Sequence, residues 1–360
     1  MSRSISPATF PWRKMAHSGF ALLIFAYILR LCFAYEGQLA VAEGETRIIS
    51  TRKTQTVIEL ETFDESTYTS QVCCNGTSTE IRPNKPFYAG FWQIWQSSWM
   101  EMPNGKKVSV FGISHDISVV FALFGGILTL LGAWGGVFGT SRAPSDAGNG
   151  RDNVQNRRFS RTSLLMLLCG VGVLCAAAWR GWHTGRLPLG NVYEFIMASA
   201  AMLPIVALRS GKVTKRDLFM EILLIIPLFA MDGTPKPLPP ALQSPFFVPH
   251  VGAYVLGYML VLRCAILQKT DGLHLGFAFI TTGMLLGAAW AQVCWGRWWG
   301  FDPKETWSLA TFLACAAVFH APEGSKLQKS LLSLTGILVL LTLFWVNFSR
   351  LFPGLHSYSR

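Results

Sequence analysis

The chain has 360 residues, is 51% apolar and only 14% charged, and has a mean hydropathy of +0.36. Soluble domains carry roughly a quarter charged residues, so a soluble globular protein is excluded; recurrent apolar runs of about 20 residues, the span of a bilayer's hydrocarbon core, mark a polytopic membrane protein. The formal net charge of +11 does not signal a nucleic-acid partner, because the basic residues cluster in short loops between apolar runs, where the positive-inside rule places them.

The first predicted span is 17–36, preceded by Arg3, Arg13 and Lys14. No small-residue cleavage site follows it, so it is expected to be a retained anchor and not a removed signal peptide. A polar stretch at about 37–113 comes next. Within it TRIISTRKTQTVIELETF alternates β-branched and polar residues as half-buried strands do, and Asn75-Gly76 is a turn signal. This stretch is predicted to be a small β-rich extramembrane domain. A second span covers about 117–138.

The segment 141–161 is rich in Gly, Ser, Asn and Asp and carries Arg142, Arg151, Arg157, Arg158 and Arg161. It reads as a basic cytoplasmic linker and a domain boundary. Seven further spans are predicted near 162–180, 191–208, 217–231, 250–267, 273–292, 306–320 and 330–349, the third of them short. The expected fold class is mainly α: a polytopic membrane helix bundle of about nine spans with a small β-rich extramembrane domain.

Loop charge orients the bundle. Arg209, Lys212, Lys215 and Arg216 fall in one loop, Lys269 in another, and Lys326 and Lys329 in a third, all on the face of the N-terminus and the linker. That face is predicted to be cytoplasmic. Arg180, Arg186, Arg297 and Lys304 lie on the opposite, outer face against the trend, which predicts an anionic counterpart for them. The eight cysteines form no Cys-x-x-Cys and no Cys-x-x-Cys-His, so a zinc ribbon, a thioredoxin-like pair and a covalently attached haem of the chain's own are not expected. Neighbouring Cys73 and Cys74 read as structural or free thiols, since bridging them is strained.

The outer loop Trp295-Gly296-Arg297-Trp298-Trp299-Gly300-Phe301-Asp302-Pro303-Lys304-Glu305-Thr306-Trp307 is the densest feature of the sequence. One or two tryptophans there would be an aromatic belt; four in thirteen positions, with acids and bases interleaved, suit a large, flat, partly apolar ligand. Asp302 and Glu305 have a second reading, as caps of the following helix. His250 opens a helix after FFVP, and His356 follows the last span, both on the outer face. Imidazole is the common axial ligand of haem iron, indole and phenyl faces suit a porphyrin, and Arg or Lys suit its propionates. A lone histidine at a helix end is more often a hydrogen-bonding residue. On the cytoplasmic side, His17 opens the first span and His320 ends the eighth; both are near helix ends, where snorkelling to water is easy. His115, His183 and His274 are given structural readings.

The tryptophan loop resembles the "WWD" signature of membrane haem-handling proteins, and within them is most similar to the CcsA (ResC) component of System II cytochrome c biogenesis. Leu187-Pro188-Leu189-Gly190-Asn191-Val192-Tyr193-Glu194 is similar to that family's P-L-x-N-x-Y-E segment, and Gly354-Leu355-His356-Ser357-Tyr358 to its GLHSY ending. The resemblance covers about 162–360. More loosely, Arg82-Pro83-Asn84-Lys85-Pro86 through Gln96-Ser97-Ser98 resembles the CcsB (ResB) partner, suggesting a fusion in which 1–140 is a shortened CcsB-like region. Phe301 stands where the family usually has tryptophan, which keeps the ring and loses an N–H donor.

The resemblance implies a function: haem b is held on the periplasmic side of the inner membrane and attached through thioethers to the Cys-x-x-Cys-His motif of apocytochrome c. His250 and His356 become axial ligands of the iron. Trp298, Trp299, Asp302 and Glu305 form the platform where reaction occurs, with Trp295, Arg297, Phe301 and Trp307 around the cofactor. His320 matches the family's intramembrane histidine, with His17 as its partner. The implied partners are apocytochrome c, a thiol-disulfide reductant protein, a remaining CcsB-like subunit and membrane lipid. Two other classes compete: a haem exporter without ligation activity, and a di-haem oxidoreductase serving quinone. The last requires histidine pairs stacked inside the spans, whereas the clearest pair lies outside the hydrocarbon.

Overall fold

A computed structural model of the protein describes residues 12–50, 55–140, 160–210 and 213–345. The first helix, α1 (Trp12–Phe33), leads directly into eight strands: β1 (Tyr35–Ala42), β2 (Thr46–Ser50), β3 (Gln55–Asp64), β4 (Thr69–Cys74), β5 (Thr77–Ile81), β6 (Phe87–Ala89), β7 (Trp92–Glu101) and β8 (Lys107–His115). Eight helices follow: α2 (Ser118–Thr140), α3 (Arg161–Thr184), α4 (Val192–Arg209), α5 (Lys215–Ala230), α6 (Phe247–Leu267), α7 (Leu273–Trp295), α8 (Pro303–Val318) and α9 (Lys326–Leu340). The protein is thus a polytopic helical bundle with a small β part. Among the described residues seven helices are long and apolar enough to cross a membrane; α5 and α8, each of 16 residues, are short of that length.

The strands form two antiparallel sheets, ordered β1-β8-β7-β6 and β2-β3-β4-β5. Val41, Ile94 and Phe111 of the first meet Ile58, Leu60, Val72, Cys74 and Ile81 of the second in one buried core, so the sheets face each other as a sandwich. Alternation drives this: in β3, Thr56, Ile58 and Leu60 point in while Glu59 and Glu61 point out. A bulge between Leu60 and Thr62 resets the phase and returns Phe63 to the interior. Asn75 (φ 49°) and Gly76 (φ 83°) turn β4 into β5 with the positive φ pair that a tight hairpin turn requires. All eight cysteines are unbridged.

The chain enters and leaves the sandwich side by side. Tyr35, after α1, pairs with His115, before α2, so these two helices hang antiparallel beneath it. Their contact is close because small residues line it. A side-chain carbon on Gly19 would stand 2.6 Å from the Gly125 carbonyl oxygen and 2.5 Å from the Thr129 backbone nitrogen, an approach typical of membrane helices meeting through small residues. Gly19→Val is therefore expected to push the pair apart and cost about 1–3 kcal/mol, read as a lower thermal midpoint in detergent, with Gly172→Val, whose site is open, as the silent control.

Helix direction then fixes two faces. The α3–α4, α5–α6 and α7–α8 connections lie on the sandwich side; α4–α5, α6–α7 and α8–α9 lie on the opposite face. The core of the bundle gathers Met166, Leu203, Met220, Met259, Leu273, Ile280, Cys315 and Leu332. The sandwich sits on the end of α7. Gln93 donates to the carbonyl of Gln292 at 2.6 Å, and Gln292 returns a bond to Gln93 Oε1 at 2.8 Å. Gly296 ends α7 with φ 65°, and Trp95 of β7 packs so closely on it that a side-chain carbon there would lie 2.2 Å from the indole.

Candidate functional site

His250 stands in the first turn of α6, on the sandwich side. Its Nδ1 meets the Gly283 carbonyl oxygen of α7 at 2.8 Å. A carbonyl only accepts, so Nδ1 carries the proton and Nε2 keeps the lone pair, the tautomer that a metal-ligating histidine with a backbone outer-shell partner uses. The ring is wedged between Tyr254 and Trp290, with centroids 5.1 and 5.7 Å away. Gly287 makes the room: a side-chain carbon there would lie 2.6 Å from Cε1 of His250.

His250 lines a cavity of about 200 Å³ with Tyr254, Trp290, Trp299, Lys304 and Glu305. Of the residues anticipated from sequence, His250, Trp299 and Glu305 come together here. Leu189, Gly190 and Asn191 of the LPLGNVYE segment form another wall, and Leu343 and Phe344 a third. His356 lies outside the described residues.

The rest of the tryptophan loop is placed differently. Trp298 does not line the cavity; it is buried against Ala26 of α1 and Ala122 of α2, and its indole donates to Ser118 at 3.1 Å. Trp295 stacks on Trp290 at 6.3 Å. Phe301 is half exposed, takes φ 54°, and packs edge-on against Tyr27 at 5.2 Å. Trp307 is partly buried in the second turn of α8. The loop thereby clamps the front part of the chain to the bundle as well as edging the cavity.

Asp302 and Glu305 form a reciprocal capping box on α8. Glu305 Oε2 accepts from the backbone N–H groups of Gly300 at 2.9 Å and Asp302 at 3.1 Å. The box makes α8 begin at Pro303, earlier than the 306 read from hydropathy. Asp302→Ala is expected to cost about 1 kcal/mol of stability and Asp302→Asn, a good cap, almost none, measured as thermal midpoints. If Asp302→Asn falls as far as Asp302→Ala, the acid has a role beyond the cap.

The anionic counterparts expected for the outer basic residues are carboxylates of the chain itself. Glu194, wholly buried, accepts from Arg180 Nε at 2.8 Å and Arg186 Nη1 at 2.7 Å. Arg297 pairs with Glu36 at 3.5 Å, and Glu36 also pairs with Arg30, which holds Asp116. Lys304 lines the cavity itself.

Sequence reasoning passed over Asn84. Held at φ 63°, a conformation asparagine tolerates better than most residues, it reaches from the sandwich to Trp290, which lines the cavity. Its amide nitrogen donates to the carbonyls of Pro240 at 3.0 Å and Ala241 at 3.2 Å. Its oxygen accepts from Trp290 Nε1 at 3.1 Å and Cys294 at 2.8 Å. One side chain thus ties the sandwich to the loop before α6 and to the tryptophan that flanks His250. The signal was present, since Asn84 falls in the stretch whose resemblance to CcsB was noted from the sequence.

On the opposite face, His17 in the second turn of α1 and His320 just past α8 meet, ring centroids 5.7 Å apart and planes at 78°. Both are exposed. His17 Nδ1 donates to the Arg13 carbonyl oxygen at 2.6 Å. His274 stacks on Phe319 at 4.4 Å, His115 packs on Trp92 at 4.9 Å, and His183 folds back on the Trp179 carbonyl at 3.0 Å.

The protein is an integral membrane helix bundle with an aromatic-walled histidine cavity on the sandwich side and an exposed histidine pair on the opposite face. Comparison with known proteins narrows this. Residues 272–354 match the family described as cytochrome C assembly protein. The chain is 29% identical over 220 residues to the cytochrome c biogenesis protein CcsA of Chlamydomonas reinhardtii, covering 49% of this chain and 62% of that relative, less than two thirds of its length. It is 26% identical over 265 residues to CcsA of Prochlorococcus marinus strain MIT 9303, covering 54% of this chain and 83% of that one. With CcsA of strain NATL2A it shares 25% over 333 residues, or 70% of this chain and 97% of the relative. Over much of its length the chain is thus similar to CcsA cytochrome c biogenesis proteins.

Proposed function

We propose that the protein serves cytochrome c biogenesis by binding haem b, presenting it on the sandwich side, and attaching it to apocytochrome c. The observation that carries this reading is His250: an imidazole whose tautomer is set by Gly283 and whose cavity offers indole and phenol walls, a cation in Lys304 and a carboxylate in Glu305. These side chains fit a porphyrin: an axial nitrogen for iron, π faces for the macrocycle and a charge for a propionate. At about 200 Å³, below the roughly 300–1,000 Å³ of complete ligand pockets, the cavity seats an edge of the macrocycle. His356 is proposed as the second axial ligand.

Haem supplies the vinyl groups and the cysteines of the acceptor supply the thiols. In each addition the S–H bond breaks, a C–S bond forms at one vinyl carbon, and the hydrogen ends on the other; nothing is oxidised or reduced. The protein's contribution is therefore orientation and effective concentration. Trp299 edges the cavity and Asn84 holds the wall through Trp290. Glu305 is committed to the cap through Oε2, which leaves positioning as its main contribution. On the opposite face the His17–His320 pair is proposed to receive haem first. That face is proposed to be cytoplasmic and the sandwich periplasmic, with residues 1–140 acting as a shortened CcsB-like region beside a thiol-disulfide reductant protein.

The test is direct. The purified protein is mixed with haem and reduced apocytochrome bearing a Cys-x-x-Cys-His motif, and the acceptor is examined for haem that survives denaturation. Covalent product, absent when the acceptor cysteines are alkylated, is expected. Bound haem with no product would turn the reading to export without ligation.

A further inference from the structure

The face opposite the sandwich carries a second cavity that the haem chemistry does not use. It measures about 540 Å³ and lies between the α4–α5 and α6–α7 connections. Ser210, Thr214, Lys215 and Arg216 line it from one side, Arg263, Leu267, Lys269 and Asp271 from the other. Arg263 is buried and neutralised by Asp217 at 2.7 Å. Lys215, Arg216 and Lys269 are exposed, and none has a carboxylate partner among the described residues. Arg216 Nη1 donates to the Ile266 carbonyl at 3.1 Å, which holds its guanidinium across the gap between α5 and α6. Three cations against Asp271 leave the rim positive.

A second, independent feature continues from this rim. Phe219, Leu223 and Ile226, at three, seven and ten positions after Arg216, are 61%, 52% and 57% exposed. That spacing puts them in one stripe on α5. From Arg216 to Ile226 the helix rises about 15 Å, half of a hydrocarbon core roughly 30 Å thick, or one leaflet. A positive cavity at the interface with a leaflet-long apolar stripe below it has the form of a phospholipid.

We infer that Lys215, Arg216 and Lys269 bind the headgroup phosphate of an anionic phospholipid whose acyl chain lies along Phe219, Leu223 and Ile226. Basic pockets between membrane helices recognise anionic headgroups in this way. A free phosphate ion would use the same cations and ignore the stripe.

The experiment is native mass spectrometry of the full chain with mixed phosphatidylcholine and phosphatidylglycerol. The wild type is expected to retain phosphatidylglycerol preferentially. Each cation removed is expected to weaken retention about fivefold, and Lys215→Gln/Arg216→Gln/Lys269→Gln together about a hundredfold. Lys326→Gln/Lys329→Gln, on the same face, is expected to leave the preference intact, and Lys269→Glu alone to reduce it in a minimally altered protein. Equal loss in the Lys326/Lys329 control, equal retention of the two lipids, or an unchanged preference in the triple variant would each overturn the site. Displacement of phosphatidylglycerol by an equal concentration of inorganic phosphate would reassign the cavity to a soluble anion and overturn the lipid.

Discussion

His250→Ala is expected to abolish the visible absorbance of haem at the sandwich-side site and to lower covalent product by more than about a hundredfold. Loss of an outer-shell partner costs roughly 10–100-fold in affinity or activity, and loss of the ligand itself must exceed that. Gly287→Ala supplies the graded companion. The added carbon would stand 2.6 Å from Cε1 and 2.9 Å from Nδ1 of His250, so the ring must turn and lose its bond to Gly283. Product is expected to fall about 10–100-fold while the His17–His320 site keeps its spectrum. A purely structural His250 makes the opposite forecast. It would donate one hydrogen bond between helices, worth about 1 kcal/mol, and His250→Asn would then lower the melting midpoint slightly with haem and product unchanged. That outcome would remove the proposed ligand.

The sequence made the bundle legible because membrane helices are written in long apolar runs. The ends were less legible because caps are written in single polar residues. Asp302 and Glu305 drew α8 forward to Pro303, and Gly185, at φ 64°, follows α3 where it ends at Thr184. The sandwich was readable as strand-rich through alternation in β3, but its sheet order was not, since β1 pairs with β8 across the whole domain. Within the tryptophan loop, composition alone could not separate a cavity wall from a packing residue. Trp299 and Trp298 are neighbours; one borders the cavity and the other is bound to Ser118, 180 positions earlier. The outer arginines show the same limit. Their excess was visible, but Glu194 lies eight residues from Arg186 and fourteen from Arg180, and nothing in a linear reading says that one carboxylate serves both. Asn84 and Gly287 were hidden for a related reason, because each acts through a residue of a distant element.

His17 and His320 allow a sharper test than either histidine alone. They come from α1 and from the turn after α8 and meet at 5.7 Å, yet both are exposed and neither fills a core. Surface substitutions away from special features usually change stability by less than about 0.5 kcal/mol. If both hold one iron, His17→Ala and His320→Ala should each remove the haem absorbance that remains in a His250→Ala background, and the double variant should lose no more than either single. Such non-additivity is the mark of residues acting as one unit. If the pair is only an edge-on contact, all three variants should bind haem as the parent does. Two independent, multiplying losses would mean that the rings serve different ligands, and the inner site as drawn would fail. The order of delivery is tested in the same set: with His250 intact, loss of the inner pair should reduce covalent product made from haem supplied on the His17 side and leave product made from haem supplied on the sandwich side. Equal product from both sides in the double variant would detach the inner histidines from delivery.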